Sequence, residues 1–244
     1  GIDERVELTG HVLSMWLAKI AGFVTSESVP GDGVHVALPP HWRSVAWACG
    51  TWLAGRSVLL GSNEEIRTAG LIPELSVAFT PESLYDEAEA QALVPPASLA
   101  LRWPDELPAL VLDGAADLMH YPDRFTPVST AADSVCLTDL TSEAAAPAAP
   151  GAPGGTAPSG GRLTVLTRAQ LAARVEAADS PAGSGRHSTS RAVLVRSPDT
   201  AQMLQEVLVA WRTGRTAVVL TPEAGDDVAA AAIRQEGIQE GITA

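Results

Sequence analysis

The side chains best equipped for chemistry in this 244-residue sequence are five histidines, two cysteines, one lysine and a Gly-Ser-Gly-Arg-His run. Histidine can move a proton near neutral pH or hold a metal, but His11, His35, His41, His120 and His187 show no metal-binding spacing such as H-E-x-x-H. His35 sits inside an apolar run and reads as a packed side chain with satisfied polar atoms. His41 follows Pro40 where a helix begins and reads as a cap or surface group at the mouth of a cleft. Cys49 and Cys136 have neither C-x-x-C spacing nor a disulfide framework, and no G-x-S-x-G elbow marks a nucleophile. The run from Gly183 through Ser184 and Gly185 to Arg186 and His187 fits a small anion nest with a basic wall, or a mobile loop. Asp86–Glu87, Asp105–Glu106 and Asp226–Asp227 read as solvated faces or helix starts. Lys19 is the only lysine, so chemistry that needs one has a single candidate.

These residues must be held by an alternation of helices and strands. Val12, Leu13, Trp16, Leu17, Ile20 and Phe23 recur at helical spacing after Thr9, a good N-cap. A strand is expected at 34–38, a helix at 41–54 stopped by Gly55, and a strand at 57–60. A short helix at 64–69, a strand at 75–79 and a helix at 83–92 follow. Prolines break the pattern from 95 to 139, with short strands expected near Leu99 and Val135. Residues 144–161 are Ala, Pro and Gly, too poor in apolar side chains to order themselves. Beyond them come a strand at 163–166, a helix at 168–178, a strand at 192–195, a helix at 200–213, a strand at 216–220 and a helix at 226–235. Such alternation favours parallel βαβ units and an α/β fold. Trp16 and Trp52 have core-like spacing, whereas the sequence leaves open whether Trp42 and Trp47 face outward.

Composition narrows the function. Sixteen basic against 29 acidic residues give a net charge of −13, and no basic stripe exists to neutralise nucleic-acid phosphates. No apolar run approaches the roughly 20 residues of a membrane span, and no secretory signal is evident. With two cysteines and no framework, a cytoplasmic setting is the expectation. The sequence opens at Gly1 rather than Met, which leaves room for residues upstream.

One pattern rises above this background. Shifted by 159 positions, residues 34–59 match 193–218 without a gap: Val34, Val36, Pro39, Trp52, Gly55 and Arg56 fall on Val193, Val195, Pro198, Trp211, Gly214 and Arg215. Either two βαβ units share ordinary punctuation, or the chain repeats one unit. A true repeat puts two similar α/β layers side by side with a cleft between them, and packs both tryptophans on their sheets.

The segment from Arg5 to Thr9, the helix carrying Trp16 and Lys19, the turn from Pro30 to Asp32, the strand from Val34 to Pro39 and the Leu53–Gly55 junction resemble the amino-terminal part of acyl-adenylate-forming enzymes. These are the AMP-dependent synthetases and ligases, such as acyl-CoA synthetases. Val165 to Arg168 resembles the segment after that family's phosphate loop. Ser190 to Leu194 resembles its Asp-Arg-Val strand, and Gly214 to Pro222 its next helix–strand junction. In detail the pattern is most similar to a short, uncharacterised actinobacterial family related to those enzymes. The resemblance implies two pseudo-symmetric α/β subdomains with largely parallel sheets, at 1–143 and 162–244, joined by a linker at 144–161.

The departures shape what the resemblance implies about function. The family's phosphate loop ends in Pro-Lys-Gly; counted back from Leu166–Arg168, it falls on Thr156 to Arg162. Arg162 stands where the lysine would be, Gly161 replaces the proline, and Leu163 the final glycine. Thr156, Ser159, Gly160, Gly161 and Arg162 are therefore the candidate cofactor-binding residues, as a phosphate nest or as a degenerate loop from which Pro158 removes one N–H donor. The sequence also ends at Ala244, ahead of the family's adenine-binding motif, its ribose-binding aspartate and its catalytic lysine. The resemblance thus implies a relative that does not adenylate alone, with no assigned catalytic or metal-ligating residue. It allows ATP or AMP with Mg²⁺, a cleft for a nucleotide or acyl group, and a protein partner. An active ATP-dependent acyl-activating ligase and a non-catalytic protein-interaction module are the alternatives. Neither nucleic acid nor a membrane is an expected partner.

Overall fold

The architecture comes from a computed structural model, which describes residues 5–97, 99–141, 163–178 and 190–238. Helix α1 (Gly10–Glu27) starts at Thr9, whose hydroxyl accepts the Val12 N–H, and buries Ile20, Phe23 and Val24. Strand β1 (Val34–Ala37), helix α2 (Trp42–Leu53) and strand β2 (Val58–Leu60) follow as one βαβ unit. Helix α3 (Asn63–Ala69) opens with a capping box between Ser62 and Glu65 and closes on the left-handed Gly70. Strands β3 (Leu75–Ala78), β4 (Gln91–Leu93), β5 (Leu112–Asp113), β6 (Val135–Asp139) and β7 (Thr164–Thr167) complete a seven-stranded sheet ordered β5-β4-β3-β1-β2-β6-β7. Every pairing in it is parallel except β6 with β7. Helix α4 (Arg168–Ala178) then leads to a second sheet of β8 (Ala192–Val195) and β9 (Thr216–Val219), also parallel. Helix α5 (Thr200–Arg212) joins them and α6 (Asp226–Glu236) comes last.

Central strands of a parallel sheet are covered on both faces and read as continuous apolar runs. That is why β1, β2 and β3 are buried almost throughout. Helices α1 and α2 pack together over this sheet, and Phe23 meets Trp47 edge to face with ring centroids 5.6 Å apart. Trp47, whose orientation the sequence leaves open, is wholly buried; the α1 helix covers the face of α2 on which it stands. Trp42 is half-buried, its ring 4.7 Å from the Arg43 guanidinium.

The internal repeat is real in geometry. Val34 faces Val58 across β1 and β2 as Val193 faces Ala217 across β8 and β9. Gly55 and Gly214 both turn in the left-handed region, at φ 77° and 70°. The following amides repeat the same bonds, Arg56 N–H to Thr51 O at 3.0 Å and Arg215 N–H to Ala210 O at 2.9 Å. Trp211 departs from its counterpart. Trp52 donates its indole N–H to Cys136 O on β6 at 2.7 Å, but among the described residues no strand lies beyond β9 to receive Trp211, which stays over a third exposed.

Two expected elements differ. The helix expected at 83–92 is instead a 3₁₀ turn (Pro81–Ser83) and a run of turns and bends leading into β4. Side chains claim its backbone groups: Ser76 Oγ accepts the Tyr85 N–H, Asn63 Nδ2 donates to Leu84 O, and Gln91 Nε2 donates to Tyr85 O. The strand expected near Leu99 is absent, because the Arg43 guanidinium draws the Ala97 and Ala100 carbonyls into turns. No helix among the described residues is long and apolar enough to cross a membrane.

Candidate functional site

A cleft of about 640 Å³ opens at the carboxyl ends of β1 and β2. Open α/β sheets favour ligands at that end. Its floor is Val36 and Ala37 of β1 with Leu60 and Gly61 of β2; its far wall is the start of α5, from Pro198 to Ala201, in the second repeat. Ser83 and Thr141 close the sides.

Local hydrogen bonds hold each wall. Thr200 Oγ1 donates to Leu38 O at 2.8 Å and ties α5 to the chain leaving β1. Asp199 caps α5 by accepting the Gln202 N–H at 2.7 Å. His35 spans the floor from beneath: Gly61 O can only accept, so Nε2 donates to it at 3.0 Å, and Nδ1 accepts from Ser76 Oγ, also at 3.0 Å. Burial is the main reason its pKa falls to about 4, partly offset by the bond to Gly61. His35 is therefore a neutral brace, as a packed histidine should be.

The electrostatics of the cleft are unusual for a phosphate site. Glu64, Glu82 and Asp199 line it, and among the described lining residues there is no lysine, arginine or histidine. Sequence reasoning missed these three carboxylates, although the strand-end rule pointed to the loops that carry them. No group of three metal-ligating side chains occurs among the described residues.

Of the other expected residues, His41 is a buried N-cap whose Nδ1 accepts the Arg43 N–H at 3.1 Å, and it does not line the cleft. Asp86 pairs with Arg67 at 2.9 Å and Asp226 with Arg196 at 2.6 Å, both on the surface. Cys49 and Cys136 are free and buried, and burial lifts the Cys49 thiol to about 12. The candidate phosphate residues Thr156, Ser159, Gly160, Gly161 and Arg162, and the run from Gly183 to His187, lie outside the described residues. Thr141, the last described residue before the candidate loop, lines the cleft.

No family profile matches the chain. Among solved structures, an acyl-CoA synthetase of Brucella canis is similar over 98% of this chain and 42% of its own, with a TM-score of 0.72 and 17% identity. An anthranilate CoA ligase, solved with anthranoyl-AMP, matches 94% of this chain and 43% of its own at a TM-score of 0.68 and 12% identity. The amino-terminal subdomain of NpsA from Klebsiella oxytoca matches 97% of this chain and 54% of its own at a TM-score of 0.63 and 14% identity. Likeness at these identities establishes the fold: a mixed α/β architecture shared with the amino-terminal part of adenylate-forming enzymes. A curated Mycobacterium tuberculosis protein, named by a family number and no activity, is 27% identical over 129 residues. The chain spans about half the length of this relative, 51% of each being matched.

Proposed function

We propose that this chain is an adenylate-forming-type module whose cleft receives a nucleotide or an acyl-adenylate, and that it does not adenylate alone. The single observation behind the binding half of this reading is the cleft at the carboxyl ends of β1 and β2, where open α/β sheets take ligands, whereas its three carboxylates, with no cation among the described lining residues, count against adenylation by the chain alone. Attack of a carboxylate on an α-phosphate builds negative charge that enzymes offset with Mg²⁺ and basic groups. Glu64, Glu82 and Asp199 oppose that charge. The fold favours the reading on a second count, since its solved neighbours include one holding an acyl-adenylate.

Thr156, Ser159, Gly160, Gly161 and Arg162 are proposed as the phosphate-facing segment. Thr141, at the end of β6, brings the chain to the cleft rim before that segment begins. The cytoplasm is proposed as the setting, in keeping with two free thiols. Isotope exchange between pyrophosphate and ATP tests the catalytic half of the proposal. The purified chain is expected to show none above background with any acyl substrate, and sustained Mg²⁺-dependent exchange overturns the reading in favour of an active ligase. In the same preparation, Arg162→Ala is expected to weaken AMP binding; unchanged affinity removes Arg162 from the site.

A further inference from the structure

The acidic side of the cleft stands on a footing of its own. Glu64 lies in the first turn of α3 and Glu82 in the 3₁₀ turn after β3, so the two walls come from separate segments. Beneath them Leu59, Ile66, Tyr85 and Leu140 form a hydrophobic cluster apart from the main core. Asn63, next to Glu64, ties the walls together: its Nδ2 donates to Glu82 O at 3.4 Å and to Leu84 O at 2.9 Å. With Nδ2 so committed and Oδ1 buried, the amide serves the wall rather than the open space of the cleft.

A second, independent connection runs below the floor. Gly61 O accepts from His35 Nε2, His35 Nδ1 accepts from Ser76 Oγ, and Ser76 Oγ accepts the Tyr85 N–H at 2.9 Å. A carbonyl only accepts and a backbone amide only donates, so the single hydroxyl hydrogen of Ser76 must go to His35. His35 and Ser76 are both fully buried, and turning either one leaves a polar atom unpaired in the interior. The line starts at Gly61 on the cleft floor and ends at Tyr85, just past Ser83 on its side. His35, Ser76 and Tyr85 themselves do not line the cleft.

We propose that Asn63, His35 and Ser76 are positioning residues for the ligand of the cleft. They lock the 61–64 floor and the 82–85 wall into one unit, and the spacing of that unit sets how firmly the acidic side holds what it binds. His35 and Ser76 thus act on a ligand that they do not touch. The Tyr85 amide, at the far end of the line, reports whether the unit is intact. The proposal rests on the reading of the cleft as a ligand site, and the experiment separates the two.

The probe is a non-hydrolysable acyl-adenylate analogue with Mg²⁺, titrated by calorimetry into the full chain, with the Tyr85 and Val77 amide exchange rates read by NMR. Ser76→Ala and Asn63→Ala are each expected to weaken binding by roughly tenfold, the scale of one lost hydrogen bond. Ser76→Thr keeps the hydroxyl and should restore most of the affinity, which a general loss of packing would not allow. Asn63 is only half-buried, so its Ala variant folds, and without ligand it should speed Tyr85 exchange by roughly tenfold. Val77, inside β3, should exchange as in the parent. Parent-like affinity in both Ala variants overturns the positioning role and leaves the reading of the cleft standing. An analogue that the parent chain does not bind overturns that reading instead, and amide exchange alone then decides the unit. Equal Tyr85 rates in the parent and Asn63→Ala overturn it; a faster rate in the variant with Val77 unchanged upholds it.

Discussion

At the scale of single residues, His35 shows how a group with the credentials of a catalyst becomes a brace. Its folded pKa of about 4 lies below the ordinary 6.5, so in the folded protein it stays neutral while the unfolded chain gains a proton. The unfolded state therefore binds more protons between those values. Stability is intact above pH 6.5 and falls as pH drops toward 4, by about 3 kcal/mol in all if the whole shift is expressed. Urea denaturation across that window should show the slope in the parent chain and a flatter one in His35→Gln. Equal slopes would contradict the brace. Glu74, whose carboxyl is raised mainly by burial, is common to both proteins and cancels in the comparison. His35 was legible in the sequence because a polar residue in an apolar strand must find partners. Trp47 was not, because which face of α2 is covered depends on α1, far away in sequence. Glu64, Glu82 and Asp199 escaped for the same reason: the first turn of α3, the 3₁₀ turn after β3 and the N-cap of α5 come to one cleft only once the sheet is assembled.

At the scale of elements, most of the alternation was legible, since strand runs and glycine stops are local signals. The 83–92 segment was misread because Ser76 and Asn63 from elsewhere, with Gln91 at its own end, satisfy its backbone, and no helical period competes with that. The repeat allows a matched pair of tests. A Cβ at Gly55 would stand 2.8 Å from Val128 Cγ1, whereas one at Gly214 meets nothing within 4 Å. Both positions carry the left-handed penalty of about 1–2 kcal/mol for an alanine. Gly55→Ala should add an overpacking cost of about 1–3 kcal/mol, so it should destabilise the chain more than Gly214→Ala in the same denaturation assay. Equal losses would mean that the Val128 segment gives way, and that the first repeat's turn is less tightly covered than its geometry shows.

At the scale of the whole molecule, two copies of one βαβ unit face each other across a cleft, and the copies have diverged in their surroundings. Among the described residues the first lies within a seven-stranded sheet and the second within a two-stranded one, with Trp211 over a third exposed. The central claim is that the cleft still receives a ligand of the adenylate type. It is tested most directly by the melting temperature of the pure chain with Mg²⁺ and a non-hydrolysable acyl-adenylate analogue, measured beside an Ala37→Trp variant that fills the cleft floor. At a hundred times its dissociation constant, a ligand that binds only the native state stabilises it by about 2.7 kcal/mol, or about 5–10 °C for a chain of this size. The account predicts such a rise in the parent chain and none in the variant. A parent chain that melts unchanged at millimolar analogue, or a rise that survives Ala37→Trp, would contradict it.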